Sequence, residues 1–295
     1  NNEVIGALQA INSLQLEKFD QDNAAIFQTM ANQAAIAVEN ALLHKERLNN
    51  QLLNKEIELA STIQSGFWPK EQPMISNYKV AGCSIPAKNV GGDYYDYISL
   101  PNKNNWGFTV ADVTGKGVSA ALLMATMRAS LRSHLEYSNT PNISLTKVNE
   151  LIFNDSPLDK FITAIYCELD SIKNTIRYVN AGHNNPYVLD VEKNSISTLE
   201  VGGLMLGILD TVKYDEEVYK IKSNQKIILY SDGITEARNI KGDFYGEERF
   251  EKWLLDNKFL DPDAMVEGIT EELNHFRKEA EQSDDITIIV IQREG

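Results

Sequence analysis

The sequence is poor in cysteine, in histidine and in positive charge. Its two cysteines, Cys83 and Cys167, both fall inside strand-like apolar stretches, which speaks for small core residues in a reducing compartment and against a disulfide framework. Four histidines in 295 residues leave little material for a His-rich zinc site. The 28 Lys+Arg are outnumbered by 42 Asp+Glu, a formal charge of -14. No local basic patch offsets that charge, so the chain repels nucleic acid and anionic membrane surfaces. Long hydrophobic runs are missing as well: the purely aliphatic stretches, such as Ile286 to Ile291, fall far short of the roughly 20 apolar residues of a spanning helix. The chain begins Asn-Asn-Glu, with no methionine and no signal-like apolar segment, and the expectation is an excerpt from a longer cytoplasmic protein.

What is present is 43% hydrophobic residues, enough for one large domain with an appendage or for two modest ones. Val4 to Ser13 reads as a strand, and the aspartates between Phe19 and Asn23 are N-cap candidates for a long helix. Phe27, Met30, Ala34, Ala37, Ala41, His44, Leu48 and Leu52 follow steps of three and four, continuing through Leu59 and Ile63 until Pro69 stops them. So long a stripe has little globular sequence around it to cover it, and pairing with a second copy of the chain is expected. From Tyr78 onward the texture changes to short β-like runs broken by turn residues: 78–85, 95–100, 106–113, 161–170, 175–182, 186–191, 225–233 and 284–292. Helical patterns interrupt them at Val118–Tyr137, Leu145–Asn154, Glu247–Leu255 and Asp263–Glu281. Strands following strands, with helices inserted in pairs, predict an α+β fold of mostly antiparallel sheets with helices on the outer faces.

Acidic residues cluster at the ends of these strands: Asp93 and Asp96 in GGDYYD, Asp112 in VADVTGKG, Asp232 in LYSDGITE, and Asp284 with Asp285 in QSDDITIIV. Any one of them alone reads as a turn or a helix cap. Four together, each beside a hydrophobic strand, point to a metal site. Carboxylates desolvated at strand tips repel one another unless cations neutralise them. All-oxygen ligation selects hard ions such as Mg²⁺ or Mn²⁺.

VGGDYYD, ADVTGKG, NAGHNNP, LYSDGITEA and DDIT, in this order and spacing, resemble the metal-dependent Ser/Thr phosphatases of the protein phosphatase 2C (PPM) superfamily, RsbU-like branch. The resemblance spans about Pro69 to Gln292. A weaker one links the segment from Gly6 to Glu46 with the last strand and helix of a GAF sensor domain. The organisation implied is a GAF-like C-terminal fragment at 1–45, a helical, coiled-coil-like linker at 46–70 and a PPM-type phosphatase domain at 71–295. The fold implied is an αββα sandwich preceded by the N-terminal strand and the long linker helix.

The resemblance also implies roles. Asp112 bridges two Mn²⁺ or Mg²⁺ ions, with the main-chain carbonyl of Val113 as a further ligand. Asp232 and Asp284 complete the other ion's shell, and Asp93 binds a metal or orients its water. Asp285 is a supporting neighbour, while Asp96 supports the loop. Gly91, Gly92, Gly115, Gly117 and Gly233 let backbone pass close to ions and phosphate. Lys88 stands where eukaryotic members carry a phosphate-binding arginine, and Gly92 and Thr114 replace a glutamate and a histidine. These departures imply a weaker second metal site. His183 and Asn184 are read as a hydrogen-bonded strand connection, and Gly202–Ile208 as a mobile flap or an apolar plug.

The implied function is hydrolysis of phosphoserine or phosphothreonine on a partner protein, of the anti-anti-sigma type, under control of the upstream sensor through a dimerising linker. The alternative is a catalytically silent phosphoprotein-binding scaffold of the same fold. A nucleotide cyclase is disfavoured: Tyr94-Tyr95 stand where a diguanylate cyclase loop continues Glu-Phe.

Overall fold

The computed structural model describes residues 6–9, 11, 21–102, 104–137, 140–156 and 159–295. They divide into two compact units, 1–59 and 60–295. The first is dominated by helix α1 (Gln21–Ser65), whose final turn belongs to the second unit. Ile26, Met30, Leu48 and Leu52 on this helix are exposed. The helix runs unbroken across the expected boundary at residue 45. It ends before Pro69, where the Gly66 N–H turns back to the Ile63 carbonyl. Residues 6–9 and 11 show no strand pairing; the rest of the strand expected over Val4 to Ser13 lies outside the described residues.

The second unit is built on two antiparallel sheets. One has the order β1 (Tyr78–Ile85), β10 (Ile286–Arg293), β9 (Gln225–Tyr230), β6 (Tyr187–Asp190), β7 (Ser195–Thr198). The other runs β2 (Tyr94–Ser99), β3 (Asn105–Val113), β4 (Ile162–Asp170), β5 (Thr175–Ala181), β8 (Glu217–Lys220). The period-2 alternation of each strand sorts its side chains into different layers. On β10, Ile289 and Ile291 join Phe108, Val110, Ile165 and Leu229 between the sheets. Ile286, Ile288 and Val290 instead face α4 (Glu247–Asp256) and α5 (Pro262–Arg277) through Phe250, Leu254, Met265 and Ile269. The second sheet's outer face packs Tyr94, Ala111 and Ile162 against α2 (Val118–Tyr137) and α3 (Pro141–Asp155). This is the expected αββα sandwich.

β7 and β8 are absent from the sequence reading because they are short edge strands with mostly exposed side chains, and so carry no apolar alternation. α3 starts at Pro141, ahead of the expected Leu145, since proline is accepted in a first helical turn. α5 stops at Arg277, not Glu281, where Lys278 turns left-handed at φ 56°. Among the described residues, no helix is long and apolar enough to cross a membrane.

Candidate metal centre

The two sheets bring the acidic clusters to one end of the sandwich. Tyr94 pairs with Ala111, so Asp93 and Asp112, one step further along, stand side by side. In the other sheet Tyr230 pairs with Ile288, which sets Asp232 beside the residues that lead into β10, Asp284 and Asp285. β2 and β3 meet β9 and β10 across the sandwich, and the two carboxylate pairs sense each other.

Burial pushes the Asp93 carboxyl well above the usual carboxylate range, and the charges of Asp112 and Asp285 add to it. Burial also raises Asp112, with Asp232 and Asp284 contributing, to about 7. Asp232 is raised to about 6 by burial and then by Glu236 and Asp284. Glu236, one helical turn beyond Asp232, is a neighbour the sequence reading missed.

The remaining predicted residues have distinct places. Asp285 accepts from the main-chain N–H groups of Ala87 (2.7 Å), Gly92 (2.7 Å) and Asp93 (3.2 Å), and so folds the 87–93 loop around itself. Lys88 is exposed on that loop. Asp96 lies apart from the cluster: only 1% exposed, it accepts from Arg132 Nε (2.6 Å) and Nη2 (2.8 Å) on α2 and from the Tyr94 hydroxyl. The glycines mark close approaches. A Cβ on Gly92 meets the Val113 carbonyl oxygen at 2.8 Å and Asp112 Oδ1 at 3.4 Å, and one on Gly233 meets the Asp285 carbonyl at 1.9 Å. No side chain is accommodated at either position.

His183 is buried; its Nδ1 lies 2.8 Å from the Thr163 hydroxyl, and Asn180 Oδ1 accepts its main-chain N–H at 2.7 Å. Burial lowers its pKa to about 4, which keeps the imidazole neutral. Thr163 pairs with Asp112 across β3 and β4, so the histidine braces the strand beside the cluster, a structural hydrogen-bonding role. Gly202–Ile208 is a plug: Leu206 is fully buried and exchanges both main-chain hydrogen bonds with Ile162.

Sequence reasoning also missed Gln64, the one buried residue of α1. Its Nε2 donates to the Gly91 carbonyl at 2.7 Å and its Oε1 accepts the Gly91 N–H at 3.0 Å. The linker helix therefore grips the loop that ends in Asp93. Arg128 on α2 adds a second hold, its guanidinium 5.0 Å over the Phe67 ring and its Nε 3.3 Å from the Phe67 carbonyl. A glutamine in an amphipathic helix gives no sequence signal of its own.

Among the described residues, no three carboxylate, imidazole or thiolate groups are drawn together tightly enough to hold an ion as they stand. Asp284 is occupied instead by Lys116, whose ammonium lies 3.0 Å from its Oδ2. The donor set nevertheless suits a hard cation. Asp93 Oδ2 is buried with no hydrogen-bond partner, a position a buried carboxylate oxygen occupies only at considerable free-energy cost. The Asp112 carboxylate and the Val113 carbonyl converge on the space Gly92 leaves open. Asp93, Asp112, Asp232, Asp284 and the Val113 carbonyl are the groups that would hold such an ion.

The family model described as Stage II sporulation protein E (SpoIIE) matches residues 102–294. The chain belongs to the SpoIIE family. This makes it a PP2C-type phosphatase domain. Among its relatives is the phosphoserine phosphatase RsbU of Bacillus subtilis, 29% identical over 82% of this chain and 71% of RsbU. The SiaA-PP2C domain of Pseudomonas aeruginosa shares the fold at a TM-score of 0.72 and 21% identity, over 82% of this chain and 98% of that domain. RsbX, solved in complex with magnesium, shares it at 0.56 and 16%, over 75% of this chain and 98% of RsbX.

Two outcomes follow for this SpoIIE-family domain. Gln64→Ala leaves both main-chain groups of buried Gly91 unpaired, and chemical denaturation is expected to show a loss of about 2 kcal/mol or more. The raised Asp112 and Asp232 carboxyls hold their protons in the folded state to higher pH than in the unfolded chain, where carboxylates ionise near 4. The metal-free protein therefore loses stability as pH rises from about 4 towards 7. Melting curves in EDTA should fall across that window, and Mg²⁺ should restore them.

Proposed function

We propose that this chain hydrolyses phosphoserine or phosphothreonine on a partner protein, with two Mg²⁺ or Mn²⁺ ions held by Asp93, Asp112, Asp232, Asp284 and the Val113 carbonyl. The observation that carries the reading is the buried, unpartnered Asp93 oxygen beside Asp112, facing Asp232 and Asp284 from the second sheet. When bound, divalent ions supply the positive charge and the activated water that in-line attack on a phosphoryl group requires. The protein's own groups do the rest. Asp112 spans the two halves of the cluster, Asp285 fixes the loop that carries Asp93, and Lys88 draws the phosphate as a point charge. No protein nucleophile is called for: Cys167 is fully buried, and His183 braces Thr163.

The name of RsbU supports phosphoserine as the target, and a phosphorylated regulator of the anti-anti-sigma type is the partner proposed, in the cytoplasm. We read residues 1–45 as the end of a GAF-like sensor and 46–70 as its linker. The exposed stripe Met30, Leu48, Leu52, Leu59 and Ile63 fits a second copy of the helix, giving a homodimer. The Gln64–Gly91 pair and the Arg128–Phe67 contact give a sensor signal a physical route from the linker to the Asp93 loop.

A second reading, a silent scaffold that only binds its phosphopartner, is favoured by one observation: no ready-made three-group cluster exists among the described residues. Hydrolysis of a phosphoserine protein with and without Mn²⁺ decides between them. Turnover is expected only with the ion, and Asp112→Asn should lower it by about 100-fold or more, on the scale of losing a transition-state charge stabiliser. Phosphopartner binding without turnover supports the scaffold. In sedimentation, the double variant Leu48→Glu, Leu52→Glu is expected to behave as a monomer; an unchanged dimer removes the linker from the interface.

A further inference from the structure

The loop between Asp112 and α2 carries a lysine whose place the proposed chemistry does not explain. Gly115 and Gly117 both adopt positive φ, +90° and +83°, conformations that L side chains rarely take. They turn the intervening Lys116 from the end of β3 towards the start of β10. There its ammonium pairs with Asp284 Oδ2 at 3.0 Å and donates to the Ser283 carbonyl. It also lies near enough to Asp232 to favour that carboxylate's charged form. The loop is held at its other side by Lys160, which donates to the Thr114 carbonyl at 3.1 Å.

We propose that Lys116 is a built-in counter-ion: in the metal-free protein its ammonium neutralises Asp284 and part of the charge of Asp232, and an entering divalent ion must displace it. The inference rests on the reading of this cluster as a metal centre. Its physical basis is competition for one oxygen. Asp284 Oδ2, engaged by an ammonium at 3.0 Å, cannot take a second cation at that position without the first moving away. The pair is also built to yield. Both side chains are more than a third exposed, so water screens their attraction and a doubly charged ion outcompetes it. Without Lys116 the metal-free cluster loses its nearest positive charge and is destabilised. With it, the protein folds before the metal arrives, at the cost of weaker binding.

Calorimetric titration with Mn²⁺ of wild type, Lys116→Gln, Lys116→Arg and Lys88→Gln tests this. Lys88→Gln removes the same charge from a neighbouring loop and so measures the general electrostatic effect. Lys116→Gln is expected to bind Mn²⁺ about fivefold more tightly than wild type, the scale of a partly exposed ion pair, and clearly more tightly than Lys88→Gln. Lys116→Arg should stay near wild type. In EDTA, Lys116→Gln should melt below wild type, and amine-directed labelling of Lys116 in the wild-type protein should quicken when Mg²⁺ is added. Equal shifts in Lys116→Gln and Lys88→Gln, or labelling that ignores Mg²⁺, overturn the counter-ion role while leaving the metal centre standing. Failure of wild type to bind Mn²⁺ at all overturns both.

Discussion

The mutual repulsion of carboxylates at one end of the sandwich is the constraint on which the site depends. Asp93 and Asp112 come from one sheet, Asp232 and Asp284 from the other, and burial with mutual charge raises Asp93, Asp112 and Asp232 above the ordinary carboxylate range. Such a cluster destabilises the fold unless protons, an ammonium or a metal neutralise it. The surrounding structure opposes that cost. Two apolar outer layers and a third between the sheets hold the strands in register regardless of what happens at their tips.

Around the cluster, loops are fixed by side chains that stand outside it. Asp285 gathers three main-chain N–H groups of the 87–93 loop, Lys160 holds the loop after Asp112, and Gln64 closes on Gly91 from the linker helix. Asp96 and Arg132 tie β2 to α2 further along. α1 is thus bonded to the main chain two residues before Asp93, and α2 to the strand that follows it. Packed interfaces switch between discrete arrangements more readily than they deform.

Much of this was legible in the sequence because it is local. Strand periodicity located β1 and helical periodicity α2 to the residue, and Asp-Gly and Gly-Gly pairs beside apolar runs marked the acidic loops. Edge strands β7 and β8 left no trace, since solvent imposes no pattern on an exposed strand. The roles of Gln64, Arg132 and Lys116 were equally hidden. Each is an ordinary polar residue on a helix or loop, and its importance lies in a partner 27, 36 or 168 positions away.

Hydrophobic period and turn chemistry act over a few positions, so the layers, the sites of the turns and the set of acidic residues available to a metal follow from amino-acid order alone. Which carboxylates share the cluster depends on packing. Asp93, Asp112, Asp232 and Asp284 are joined by strand register and sheet packing, whereas Asp96, three residues from Asp93, turns to α2 because successive side chains of a strand point to opposite faces. Proximity across two sheets is a property of the packed core, and no short window of sequence contains it.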